Sequence, residues 1–141
     1  MQFLSTSDAA RAASAFHEAV TIKPDYAIGW YNLGVASGRL GRHTEAAACY
    51  RRSLDLDPRN ADGWVNLSLE YQTLGDFPAA VRAGEAAVGI RPEDPLALAS
   101  LVTAHWNGGD AAGAGAALER LRVADPAAAD LLLRRLRAAP D

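Results

Sequence analysis

Apolar residues recur along this chain at intervals of three and four, as in Ala12, Phe16 and Ala19 or Leu67, Tyr71 and Leu74. That is the period of a helix with one buried face. The pattern breaks at two kinds of place. One carries proline beside acids: IKPDYAIGW (22–30), LDLDPRNADGW (54–64), IRPEDPLAL (90–98) and ADPAAADLL (124–132). The other carries glycine or serine before an acid or a polar residue: STSDA (5–9), RLGRH (39–43), TLGDF (73–77) and NGGDA (107–111). Pro24, Pro58, Pro92 and Pro126 stand 34 residues apart, and so do Gly41, Gly75 and Gly109. The breaks predict helices near 9–22, 27–40, 43–56, 61–74, 77–90, 95–107, 111–124 and 129–138. No stretch of strand length alternates with period two without also fitting a helix, so the expected class is all-α, built from stacked antiparallel hairpins.

The break residues suit that reading. A glycine just past a helix end can take the left-handed conformation that closes the helix, as expected of Gly41, Gly75 and Gly109. Asp8, Asp76 and Asp110 are placed to cap the following helices, and Asn60 and Asp94 can do the same after the proline loops. Pro95 then falls at a first helical position, where its missing N–H costs nothing.

Composition narrows the function classes. The chain has 141 residues, half of them apolar, which is enough for one domain with a core and argues against disorder. With 22% charged residues and a net charge of −3 there is no electrostatic reason to expect nucleic acid as a partner. The first residues, MQFLSTSDAARA, lack the basic and apolar regions of a signal peptide, and LALASLVTA (96–104) is far shorter than a bilayer span. A soluble cytoplasmic protein with no membrane partner is expected. Cys49 is the only cysteine and cannot form an internal disulfide.

An internal period of this length points to a repeat architecture. The sequence resembles the tetratricopeptide repeat, with its W-x2-L-G-x2-Y signature followed by Ala, Phe and Pro. The second unit gives Trp30, Leu33, Gly34, Ala46, Tyr50 and Pro58; the third gives Trp64, Leu67, Ser68, Tyr71, Ala80 and Pro92. The fourth is weaker, with Leu98, Leu101, Val102, His105, Ala114, Leu118 and Pro126, and the first is a half unit with Ala12, Phe16, Ala19 and Pro24. The resemblance implies one solenoid domain over 1–141: a half repeat (1–26), repeats 27–60, 61–94 and 95–128, and a capping helix (129–138). Two departures stand out. Gly84 replaces the large residue of the third unit, and Val102 replaces the small one of the fourth, so the back half of the stack is expected to be looser.

The candidates for chemistry are weak. Cys49 aligns with Ala15, Ala83 and Ala117 and reads as a buried, unreactive helix residue. His17, His43 and His105 fall at three different repeat positions and build neither a metal site nor a triad. NGGDAAGAGAA (107–117) lacks the lysine and the preceding strand of a phosphate loop. No enzyme activity, cofactor or metal is expected.

The resemblance points instead to binding, through a concave groove lined by the first helix of each hairpin. Its positions here are Ile28, Tyr31, Asn32, Val35 and Arg39; Asp62, Val65, Asn66, Leu69, Gln72 and Thr73; then Leu96, Ala99, Ser100, Thr103, Trp106 and Asn107. Asn32 and Asn66 are 34 residues apart, and a carboxamide both donates and accepts, so a row of them can pair with a peptide backbone. That arrangement is similar to the asparagine ladder in the repeats of O-linked N-acetylglucosamine transferase, with Ser100 as a shortened third rung. The carboxylate clamp of chaperone-binding repeats is missing, because Tyr31, Val35, Leu96 and Ser100 stand in most of its basic and amide positions.

The leading expectation is a scaffold that holds an extended peptide or a partner protein in this groove. The alternatives are a substrate-recruiting repeat segment of a larger enzyme, such as a glycosyltransferase, and a self-associating module. For the last, the first hairpin would contain Met1 inside an incomplete first helix. Ala12, Phe16 and Ala19 would then face MQFLST at most and seek cover from further chain or from a second copy in a homodimer. Arg134, Arg135 and Arg137, near Arg120 and Arg122, read as the solvated face of a capping helix that turns Leu131, Leu132, Leu133 and Leu136 inward.

Overall fold

A computed structural model describes residues 5–138. Eight α-helices follow one another: α1 (Thr6–Ile22), α2 (Ala27–Arg39), α3 (His43–Leu56), α4 (Ala61–Leu74), α5 (Phe77–Ile90), α6 (Pro95–Asn107), α7 (Ala111–Ala124) and α8 (Pro126–Ala138). The described residues contain no strand. The protein is an all-α solenoid of antiparallel hairpins.

The turn chemistry is local. Gly41, Gly75 and Gly109 have φ of 76°, 82° and 82°, the left-handed region that a side chain resists. This geometry sends the next amide back to the last helical turn: Arg42 N to Ser37 O, Asp76 N to Tyr71 O and Asp110 N to His105 O, each 2.9 Å. Asn60, Asp76, Asp94 and Asp110 cap their helices by accepting from Gly63, Ala79, Leu96 and Gly113 N–H.

Two boundaries differ from expectation. α1 starts at Thr6 because Ser5, not Asp8, is the cap: its Oγ accepts from Asp8 N–H at 3.1 Å while its hydroxyl donates to the Asp8 carboxylate at 2.9 Å. Asp8 thus holds the capping hydroxyl in place from inside the helix. α8 starts at Pro126 rather than 129. Asp125 closes α7 and also accepts from Ala128 N–H at 3.0 Å, so the loop that follows the other repeat prolines is absent.

Both early tryptophans secure the proline loops. Trp30 Nε1 donates to Pro24 O and Trp64 Nε1 to Pro58 O, each at 2.8 Å. Leu98 holds the same place in the fourth unit and cannot make this bond.

The helices form two layers. α2 pairs with α3, α4 with α5 and α6 with α7, and each hairpin packs on the next through α3–α4, α5–α6 and α7–α8. α4 also packs on α6, and α6 touches α8, whereas no comparable packing joins α3, α5 and α7. The even-numbered helices therefore lie on the inside of the curve and the odd-numbered ones on its convex side.

The core corrects the expectation of a loose back half. Its largest buried cluster lies there, with Val88, Leu98, Leu101, Val102 and Leu121 almost without solvent exposure. Gly84 leaves no hole, because a Cβ on it would come within 3.2 Å of the Leu101 Cα. α5 has closed onto α6 over the missing side chain. Val102 is fully buried in the same cluster. In the second unit the same space is filled the other way round: Gly34 lies under the ring of buried Tyr50, 2.9 Å from where its Cβ would be.

Candidate functional site

The inner layer brings α2, α4 and α6 side by side and sorts the groove residues by depth. Arg39, Asp62, Leu69, Thr73, Leu96 and Trp106 are exposed, and Tyr31, Asn32, Val35, Asn66 and Thr103 are half-buried. Val65 and Ser100 are buried, which removes them from any contact surface. Val65 belongs to the core cluster beneath the groove. Ser100 turns its hydroxyl inward to donate to Ala97 O at 2.7 Å, satisfying a polar group that would otherwise be costly to bury. The third rung of the asparagine row is therefore not available to a ligand.

The two seams between inner helices differ. Between α4 and α6, Gln72 Nε2 donates across to Ser100 O at 3.3 Å, and Asn107 Nδ2 donates to Gln72 Oε1 at 3.0 Å. Between α2 and α4 there is a cleft of about 460 Å³ lined by Tyr31, Val35, Gly38, Arg39, Tyr50, Asn66, Leu69 and Glu70. That size is within the range of ligand pockets. Asn66 Nδ2 donates to the Tyr31 hydroxyl at 3.1 Å, leaving the amide oxygen as an acceptor at the cleft. The Tyr31 and Tyr50 rings meet with centroids 5.7 Å apart and planes at 59°, a tilted aromatic pair. Burial raises the Tyr31 phenol above its ordinary value; the charge of Asp62 adds to this, and the Asn66 bond opposes it. Burial raises Tyr50 further, with Glu70 contributing. Both phenols stay neutral across the ordinary pH range.

Glu70 is the cleft residue that sequence reasoning missed. Its carboxylate meets His43 Nδ1 at 2.7 Å, and its side chain is only 13% exposed. A signal was present: Glu70 stands where the neighbouring units have Ala36 and Ala104, and a carboxylate in an alanine position needs a partner. His43 is the first residue of α3, one layer away, so the pairing depends on the hairpin stack. His105 meets the Asp110 carboxylate at 3.0 Å, and His17 is exposed on α1. Among the described residues no three His, Cys, Asp or Glu side chains come together as a metal site. Cys49 is buried, and burial, helped by Glu45, pushes its thiol up to about 11.

At the N-terminal end, Ala12, Phe16 and Ala19 are half-buried, while their counterparts Ala46, Ala80 and Tyr50 are fully buried. Ala12 and Phe16 pack against the cluster formed with Leu33, Ala36 and Cys49. Met1 to Leu4, most of the segment considered as cover for Phe16, lie outside the described residues.

The tetratricopeptide-repeat family profile matches residues 27–60, and a second profile of the same repeat matches 65–129. The chain belongs to the tetratricopeptide-repeat family, whose members generally mediate protein–protein interaction and are typically non-enzymatic scaffolds. No curated protein matches it significantly in sequence. Among solved structures, the crystal structure of MamA protein superposes with a TM-score of 0.80 at 22% identity, over 87% of this chain and 67% of that one. A second crystal structure of MamA gives 0.79 at 22% identity, over 86% and 71%. The first TPR of Spaghetti (RPAP3), bound to the HSP90 peptide SRMEEVD, gives 0.71 at 24% identity, over 79% and 90%. These likenesses show the fold. Among the described residues no helix is long and apolar enough to cross a membrane.

Proposed function

We propose that the chain is an interaction scaffold that holds an extended peptide or a segment of a partner protein along the concave face of α2, α4 and α6. The observation that carries this reading is that each inner helix presents large apolar side chains to solvent: Ile28 is 62% exposed, Leu69 46%, Leu96 67% and Trp106 43%. Asn32 and the free oxygen of Asn66 lie among them and offer backbone pairing. The contact residues would be Tyr31, Asn32, Val35, Arg39, Asp62, Asn66, Leu69, Thr73, Leu96, Thr103 and Trp106. An acid-ended peptide such as SRMEEVD is not the expected ligand, because the basic positions of the carboxylate clamp are filled by Tyr31, Val35 and Leu96.

Peptides selected on the intact chain from a display library test this. Tyr31→Ala and Trp106→Ala should each weaken selected peptides by about 1 kcal/mol or more, with helicity unchanged. A selection in which no peptide responds to either substitution would remove the concave assignment.

A second reading is supported by the half-buried face of Ala12, Phe16 and Ala19, where a second copy could complete the packing as a two-fold homodimer. Light scattering should then give a mass above one chain, reduced by Phe16→Asp. A monomer at high concentration would exclude it.

A further inference from the structure

The convex side carries a cavity of its own, between α3 and α5. Its volume is about 340 Å³, and it is lined by Arg51, Leu54 and Asp55 of α3, Trp64, Leu67 and Tyr71 of α4, and Ala79, Arg82, Ala83 and Ala86 of α5. Gly84 lets α5 press onto Leu101 of α6, and the side of α5 that faces α3 presents Ala79, Ala83 and Ala86 with Arg82 as its one large side chain. The outer layer is left open over the floor made by α4.

The chemistry of the walls is specific. The floor holds two half-buried aromatic rings, Trp64 and Tyr71, beside buried Leu67 and Leu54. Trp64 is held in place by its bond to Pro58 O. Exposed arginines stand on opposite walls, Arg51 on α3 and Arg82 on α5, and among the described residues neither makes an ion pair. Asp55 is the only acid in the lining, so the cavity carries a positive balance over an aromatic floor. The equivalent groove between α1 and α3 has Trp30 and Leu33 but adds Ser14, Ser37, His17 and both Arg42 and Glu45, and so lacks this combination.

We propose that the convex cavity is a second docking site, for a partner segment in which an aromatic side chain lies next to a carboxylate. The ring enters against Trp64 and Tyr71, where aromatic pairs gain more than area burial alone. The carboxylate lies between Arg51 and Arg82, whose guanidinium groups suit paired recognition of carboxylates. Asp55 repels a second acid on its side and fixes the order of the two groups. The site is independent of the concave groove, so the two faces could hold different segments at once.

The three tryptophans allow a direct test. Trp64 lines the convex cavity, Trp30 the neighbouring groove, and Trp106 the concave face, so their indole N–H resonances report on three separate places. Indole-3-propionate serves as the probe, an aromatic ring with a carboxylate, and its amide as the uncharged control. The acid should shift Trp64 saturably and leave Trp106 unmoved, and the amide should bind more weakly. Arg51→Ala with Arg82→Ala should weaken the acid about fivefold, as two partly exposed charge contacts allow. Ala86→Leu, which narrows the mouth without touching the floor, should abolish the Trp64 shift while circular dichroism stays unchanged. Equal binding of acid and amide, or equal shifts at Trp30 and Trp64, would overturn the proposal. Loss of concave peptide binding with this result intact would count against the groove reading alone.

Discussion

The second and fourth repeats fill the same space by opposite means. In the second, a glycine at 34 lets the ring of Tyr50 come close against α2, and Trp30 ties down the proline loop. In the fourth, Leu98 and Val102 stand at the tryptophan and glycine positions; they and Leu121 supply branched aliphatic volume, and none of them is exposed. The repeat signature thus specifies a shape rather than a set of side chains. A large residue opposite a small one can be exchanged for two of middle size if total volume is kept.

The largest effect should come from removing volume in the aliphatic version. Leu98→Ala should cost about 2–5 kcal/mol, the range for a buried leucine that leaves a cavity, measured by urea denaturation. A loss below 1 kcal/mol would mean that the fourth repeat is as loose as its sequence suggests. Adding volume in the glycine version comes next. Gly34→Ala gains about 1 kcal/mol in helix propensity, but its methyl meets a buried ring at 2.9 Å, and overpacking of this kind costs about 1–3 kcal/mol. Net destabilisation is expected, together with displacement of Tyr50 seen as a change in near-ultraviolet dichroism. Smaller still is Trp64→Phe, which keeps most of the ring but drops the bond to Pro58 O. It should cost about 1 kcal/mol, typical of one intramolecular hydrogen bond, while Leu98→Phe has no such bond to lose. The smallest effect is at Cys49. Its raised folded-state value means that the native form holds its proton more tightly than the unfolded one. Its contribution to stability is intact below the unfolded thiol's ordinary range and declines as pH rises towards about 11. Thiol reagents at neutral pH should label the native chain far more slowly than the unfolded one; equal rates would contradict the burial.

Most of the fold is legible in the sequence because repetition makes each turn testable against its neighbours. The prolines, glycines and capping acids recur in register, and six of the helices fall within a residue of where the breaks place them. What repetition cannot show is where a unit departs from the period. Asp125 serves two helices at once and deletes a loop, so α8 begins at Pro126. The groove was legible as a face but not in depth. Val65 and Ser100 sit at groove positions by count, yet α6 lies close enough to α4 to bury both. Glu70 was missed because its partner, His43, belongs to the preceding hairpin and comes near only when the stack is formed. The looseness expected from Gly84 failed for a related reason: a missing side chain opens a void only if the neighbouring helix stays where it was.

Trp64 has a consequence beyond the loop it anchors. It packs against the central buried cluster and also against the C-terminal one, while the N-terminal cluster shares no such side chain with the centre. In a linear stack each unit feels only its neighbours, so melting is concerted only where those neighbours are strongly linked. The middle and rear of this molecule are joined by an indole that both sides need, and they should lose structure together on heating. The front helix, α1, packs chiefly on α2 and is the part free to fray first.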